Sequence, residues 1–416
     1  MQIWLAIADI ALRDPAWISG WQKQGIMYET EIVIIDYSLP AADRTSYGIT
    51  AGPDKALWFT EQVGNRIGRI SVAGAVIEYP LPTPNGRPTG IAAGADGALW
   101  FTELFGNKIG RITRDGRVTE FPLNSGSSAP YWITLGPDGA LWFTEPRDNK
   151  IGRITTAGAI SEYELPAANS SPNGITTGLD GALWFTEQRG DRIGRITTAG
   201  SIKEYNVRAG VGPQLITQGA DRALWFTTYP GNSIGRISTE GEITEHPLPP
   251  GHYGPLGITA GPDGALWFTE GDLSMLGRIT VSGEIEHYHV SETFSEPIVI
   301  TVGPDDQLWF TEGNSNKIGQ AVFVTARLNV TPTQGPSRTH IVFAGSEFDP
   351  GETVEIYDRG IGSDVLASAA ADMHGCFKVD GNVPQYADGT RTFLAQGQRR
   401  DKLGAARFSV INADQG

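Results

Sequence analysis

Apolar residues in this chain fall in short runs cut by turn dipeptides, with no helical period over a useful length. The densest run, Leu-Trp-Phe followed by Thr, begins at Leu57, Leu99, Leu141, Leu183, Leu224, Leu266 and Leu308, so successive copies lie 42, 42, 42, 41, 42 and 42 residues apart. Such a period marks a repeat whose single unit leaves an apolar face bare until copies stack. Around Leu99 the runs GIAAG, ALWFTE, KIGRIT and RVTEFPL are separated by Asp-Gly, Gly-Asn and Asp-Gly. These are tight turns between strands rich in β-branched and aromatic residues. Each repeat therefore reads as a four-stranded antiparallel meander, and seven of them as an all-β, seven-bladed β-propeller around an axial channel.

The ends of the repeat region complement each other. Residues 31–39, EIVIIDYSL, resemble the fourth strand Ile77-Glu78-Tyr79-Pro80-Leu81, yet they precede the first blade. The seventh copy lacks that strand after Lys317-Ile318-Gly319-Gln320. The N-terminal strand is predicted to complete blade seven, which removes the open edges of a linear array. From about residue 327 the period is lost, and seven alternating runs from RLNVTP to AARFSVI predict a small β-sandwich. The predicted organisation is an extension over 1–30, a propeller over 31–325 and a sandwich over 326–416.

Composition narrows the picture. The 53 Gly and 26 Pro suit a turn-rich chain, and seven of the 11 Trp belong to the repeat. A net charge of −15 argues against nucleic acid as a partner. A single cysteine, Cys376, excludes an intramolecular disulfide and a cysteine-based metal cluster. No run of 18 apolar residues predicts a spanning helix. Residues 1–30 have an apolar flavour but no basic start, carry Asp9 within the run and lack a clear cleavage site. They read as an extension, with a degraded or mis-started export signal as the alternative.

Repetition separates fold from function: residues the fold demands recur in every blade, while a site for an asymmetric ligand departs from the repeat. Glu closes W-F-T-E in six blades, and six arginines recur in G-R-I, from Arg69 to Arg278. The two sets are expected to pair as structural glue. The first variable position of P-x-x-I-T reads Tyr47, Thr89, Tyr131, Asn173, Gln214, Leu256 and Ile298. Counting from the hairpin turns makes Tyr47 the cross-strand neighbour of Glu61, and Ile298 that of Glu312. The variable residues and the Glu row should thus share one rim of the channel, where a small-molecule or peptide ligand would bind. The loops Gly251-His252-Tyr253-Gly254 and 291–296, which carries Phe294, add aromatic and titratable groups, beside Phe105, Trp132 and Tyr229. Among the histidines, His246, His287 and His289 are expected on outer strands with a surface role, His340 and His374 in the sandwich, and His252 alone near the rim.

The repeat G-I-T-x-G-P-D-G-A-L-W-F-T-E followed by N-K-I-G-R-I-T resembles the streptogramin B lyase (virginiamycin B lyase) family over roughly residues 31–324. The resemblance implies a seven-bladed propeller that opens a cyclic depsipeptide by Mg²⁺-assisted elimination across its ester. It also implies a constellation of two histidines and two glutamates. The glutamates are present as Glu296 and Glu312, the expected metal and catalytic carboxylates. Leu256 and Ile298 stand where the histidines would be. Neither can remove a proton or hold a cation. His252 is then the candidate replacement base, with Glu296, Glu312 and Glu270 as oxygen ligands for a hard cation. The stretch SEFDPGETVEIYD further resembles bacterial immunoglobulin-like domains with an F-x-P-G-E-x-V signature, which leans towards an extracytoplasmic location; separately, a monomer is expected. Three functions stay open: a lyase-like enzyme, a non-catalytic ligand-binding propeller, and a metal-dependent lactonase-type hydrolase.

Overall fold

The computed structural model describes residues 31–40, 45–290, 294–358, 364–385, 389–398 and 402–411. The extension over 1–30 and Ser291-Glu292-Thr293 of the loop before the seventh repeat lie outside them. The regular structure of the described residues is strand, joined by turns, with one three-residue 3₁₀ turn at Gly271–Leu273.

Among the described residues seven sheets are four-stranded, one for each copy of the repeat, and they are numbered below in repeat order. The first runs Ser46–Ala51, Ala56–Glu61, Arg66–Ser71 and Val76–Pro80 in sequence order, and the next five repeat it. In the last, Pro297–Val302, Leu308–Glu312 and Lys317–Phe323 are completed by the N-terminal strand Ile32–Ser38. That strand pairs antiparallel from Ile32 opposite Phe323 to Ser38 opposite Lys317. The innermost strands of consecutive blades touch in turn, and those of the first and last blades touch each other.

The Leu-Trp-Phe strand is buried in every blade because it is the middle layer of the stack. Phe101 lies flat over the backbone of Gly110, where a Cβ would sit 2.1 Å from the ring, so only glycine fits. The Trp column carries its own polar network. Trp100 Nε1 donates to Asp96 Oδ1 at 3.1 Å, while Arg111 Nε donates to Asp96 Oδ2 at 2.7 Å. Arg69, Arg153, Arg195, Arg236 and Arg278 repeat the bond to Asp54, Asp138, Asp180, Asp221 and Asp263. The expected pairing of these arginines with the W-F-T-E glutamates is therefore corrected. Arg111 is opposite Trp100 on the neighbouring strand, three positions from Glu103, so it reaches the turn aspartate instead.

Beyond the ring, Arg327–Thr331, His340–Ser346 and Phe377–Asn382 form a three-stranded sheet. It faces a five-stranded sheet ordered Gln334–Gly335, Leu403–Val410, Gly389–Gly397, Thr353–Asp358 and Val365–Ala370. Phe343, Ile356, Phe393 and Phe408 fill the core between them. This unit rests on the ring: Tyr357, Leu394 and Leu403 join one apolar cluster with Tyr37, Ile70 and Trp309. The backbone N–H groups of Thr325 and Ala326 both donate to the Leu403 carbonyl, at 2.9 and 3.0 Å.

Candidate functional site at the propeller rim

The variable residues sit at the inner strand of each blade, held by a belt of threonines. The hydroxyl of Thr60 donates to the Thr89 carbonyl of the next blade at 2.8 Å. Thr102, Thr144, Thr186, Thr227 and Thr269 do the same to Tyr131, Asn173, Gln214, Leu256 and Ile298. Thr311 closes the circle on Tyr47 at 2.7 Å. One threonine per blade thus fixes each variable backbone against its neighbour.

The predicted facing of Tyr47 by Glu61 is not found. A register shift between Ser46 and Ile49 puts Ser46 opposite Glu61, and the same shift puts Pro297, not Ile298, opposite Glu312. A bulge adds one residue, and because the side-chain period is two, that slip separates the two rows. Thr89, Asn173, Gln214 and Ile298 of the variable row are buried and Tyr47, Tyr131 and Leu256 half-buried, whereas the Glu row has no exposed surface at all. Burial pushes the Glu103 carboxyl up to about 8 and that of Glu145 up to about 7.

Within the variable row, Tyr47 and Tyr131 join hydroxyl to hydroxyl, with ring centroids 6.2 Å apart. Asn173 Nδ2 donates to Gln214 Oε1 at 3.1 Å, and Thr89 is buried beside Gln62. Burial first, then Tyr131 and Glu296, hold the Tyr47 phenol well above its ordinary range, while Arg87 pulls it down. Arg87 also lies over the Phe105 ring, 5.0 Å from its centroid. A carboxylate and a guanidinium thus act in opposite directions on the Tyr47 phenol. Arg87 escaped the sequence reading, although it has a signal: it precedes the blade-two proline, as Glu296 precedes that of blade seven. Both are left-handed, with φ of 55° and 53°, where blades five and six use Gly212 and Gly254. Ala129 and Ser171 are left-handed at the same position of blades three and four, with φ of 52°, so the conformation belongs to the repeat and only the two charges depart from it.

Leu256, Ile298 and Glu296 come together around two glycines. A Cβ on Gly271 would lie 3.4 Å from Leu256 Cδ1 and 3.6 Å from Glu296 Cγ. One on Gly313 would lie 2.6 Å from Ile298 Cδ1 and 3.5 Å from Glu296 Oε2. Glu312 is buried, and its carboxylate accepts a bond from Ser315 Oγ. Tyr253 is exposed and Phe294 stands out into solvent at 85% exposure.

The sequence model of the virginiamycin B lyase family matches residues 17–136 and 124–338. The chain belongs to the virginiamycin B lyase family. Selenomethionine-substituted virginiamycin B lyase from Staphylococcus aureus is 44% identical over 71% of this chain and 100% of that one, with a TM-score of 0.68. A catalytically inactive variant of the S. aureus enzyme with quinupristin is 43% identical, with the same coverage and a TM-score of 0.67. The WD40 β-propeller domain of Doa1, 10% identical over 71% of this chain and 97% of that one at a TM-score of 0.59, shares the fold alone. The virginiamycin B lyase-like chain is thus an all-β propeller protein, and no helix among its described residues is long and apolar enough to cross a membrane.

In this family member His252 is engaged by Glu270. Its Nδ1 is 3.0 Å from Glu270 Oε2, and His287 Nδ1 is 3.2 Å from the same oxygen. The two rings stack with centroids 3.6 Å apart. The expected surface role of His287 is corrected. It lies opposite Gly277, and with no side chain there the imidazole folds inward over the edge of Phe268. His246 behaves differently, taking the place of a tyrosine stacked on Trp225.

Proposed function

We propose that this virginiamycin B lyase family member is a seven-bladed, monomeric propeller that binds a small molecule or peptide at its rim, without the family's elimination chemistry. An immunoglobulin-like sandwich over its C-terminal residues is appended to it. The observation that carries this reading is the gathering of Leu256, Ile298 and Glu296 around Gly271 and Gly313. The resemblance calls for histidines at the first two positions, and both are apolar here. Elimination requires a base beside the proton next to the ester carbonyl and a cation for the developing enolate. The donors do not fit a Mg²⁺ centre of that kind. Glu296 and Glu312 could each lend an oxygen, but the former is walled by Ile298 and the latter is engaged by Ser315.

The rim offers binding chemistry instead. The Tyr47–Tyr131 pair, Asn173, Gln214 and Arg87 supply donors and acceptors, Glu296 an acid, and Phe105, Tyr253 and Phe294 aromatic area. Such a mixture suits a zwitterionic or amide-rich ligand.

The test is to incubate the full chain with a streptogramin B antibiotic and excess Mg²⁺ and follow products by mass spectrometry. The expected result is unaltered antibiotic. A ring-opened product of unchanged mass would restore the lyase, and a product heavier by one water would favour the hydrolase.

A further inference from the structure

Blade six breaks the repeat in three places that converge on one carboxylate. In blade two, Lys108 Nζ lies 2.7 Å from Glu120 Oε2 and donates to Thr83 Oγ1 at 2.5 Å, while Thr83 Oγ1 donates to Glu120 Oε2 at 2.6 Å. Lys108 is also the cross-strand partner of buried Glu103. Lys108 pairs directly with Glu120 and places its positive charge near Glu103, whose two carboxyl oxygens have no hydrogen-bond partner among the described residues.

Register identifies the counterparts. Glu270 takes the place of Glu103, and its cross-strand partner is Met275, not a lysine. His287 lies opposite Gly277 as Glu120 lies opposite Gly110. His252 corresponds to Thr83, because the preceding blade's Asn232 Nδ2 donates to its carbonyl at 2.5 Å, as Asn65 Nδ2 does to Thr83 at 2.8 Å. Blade six has thus lost its lysine and gained two imidazoles, both with Nδ1 aimed at Glu270 Oε2.

Glu270 is fully buried, and Met275 gives it no charge partner across the strand. Its Oε1 and His287 Nε2 are buried without a hydrogen-bond partner among the described residues. Nδ1–Oε2 separations of 3.0 and 3.2 Å approach the edge of a tetrahedral metal site, about 3.3 Å for bonds of about 2.0–2.1 Å. The three ligand atoms all lie within 4.8 Å of one another. Two imidazoles with one carboxylate select a borderline divalent ion such as Zn²⁺ over Mg²⁺. The partial exposure of both rings leaves an open side for water.

We propose that His252, His287 and Glu270 form a divalent transition-metal site of the Zn²⁺ class, in which the bound ion takes over the charge role of the missing lysine. The site shares no residue with the Tyr47, Arg87, Leu256, Ile298 and Glu296 set from which the binding reading is argued, so it stands whether or not that reading does.

The test is calorimetric titration of the metal-stripped full chain with Zn²⁺ in excess Mg²⁺. The comparison is a triple variant, His252→Thr, Met275→Lys and His287→Glu, that restores the blade-two set and so keeps a folded network. The proposal expects one Zn²⁺ per wild-type chain and an affinity loss of at least about 100-fold in the triple variant. His340→Ala with His374→Ala should bind as wild type does. With Co²⁺ in place of Zn²⁺, a visible absorption band should appear in the wild type and vanish in the triple variant. Absence of stoichiometric binding, or equal binding by the triple variant, would overturn it.

Discussion

Tyr37 lies flat on Trp309, with ring centroids 5.3 Å apart and planes 16° from parallel. In blades one to six the ring on the tryptophan comes from that blade's own fourth strand, as Tyr79 on Trp58 and Phe121 on Trp100. Here it comes from the other end of the repeat region, and its hydroxyl donates to Gln320 Oε1 at 2.9 Å. Tyr37→Ala should therefore lower stability by about 3 kcal/mol, the order found for emptying a large aromatic site. Tyr37→Phe keeps the stack and should cost about 1 kcal/mol for the lost bond. Urea midpoints of the two variants decide it. Equal, small losses would mean that the N-terminal strand does not close the ring.

Asp96 accepts from three donors, the Ala98 backbone N–H, Trp100 Nε1 and Arg111 Nε, so its removal and that of Arg111 should differ. The Arg111–Asp96 pair is partly exposed at 2.7 Å, and losing Arg111 to Ala should cost about 0.5–1 kcal/mol. Asp96→Ala also strands the indole N–H of fully buried Trp100 and should cost about 1–3 kcal/mol. Thermal or denaturant unfolding of both single variants tests the order. An arginine variant as damaged as the aspartate variant would show that the ion pair, and not the indole bond, dominates.

The buried Glu row gives stability an unusual pH slope. Burial, and after it Glu120, raise the Glu103 carboxyl from 4.5 to about 8. Between those values the folded chain holds a proton that the unfolded chain has released, so stability falls as pH rises. The contribution is complete below the ordinary carboxylate range and is lost through about pH 8. Glu145, pushed up to about 7, acts in the same direction. Glu103→Gln should therefore match wild type near pH 4.5 and exceed it at pH 9, with urea midpoints compared across that range. A variant that runs parallel to wild type would place the slope elsewhere.

The strands were legible because Leu-Trp-Phe, Asp-Gly and Gly-Asn recur with a fixed spacing, and the closing strand because its aromatic, Tyr37, sits at the Tyr79 position of the pattern. Side-chain partners were less so. Counting from a turn cannot detect the bulge between Ser46 and Ile49, which moved the Glu row off the rim. Arg111 and Glu103 recur together, yet recurrence does not say that the arginine reaches Asp96. His287 looked like a surface residue because its strand is outermost. What turns it inward is the bare backbone of Gly277 beside it, and the loss of lysine at Met275 was the signal that could have exposed the cluster.

Leu256 and Ile298 make the sharpest functional test. Both backbones are pinned by the threonine belt, with Thr227 Oγ1 2.6 Å from the Leu256 carbonyl and Thr269 Oγ1 2.8 Å from that of Ile298. A side chain placed at either position therefore inherits a fixed direction beside Glu296. Ile298 Cδ1 now fills space next to Gly313, and an imidazole of similar volume can take it. Wild type should leave a streptogramin B antibiotic unchanged in Mg²⁺. The double variant Leu256→His with Ile298→His should open it at a rate at least about 100-fold above that background, the lower end of what a positioned base contributes. Mass spectrometry of the product, unchanged in mass for elimination, is the readout. If the double variant folds and remains inert, the loss of the two histidines is not what separates this chain from the lyase, and the rim geometry around Tyr47, Tyr131 and Arg87 must exclude the substrate instead.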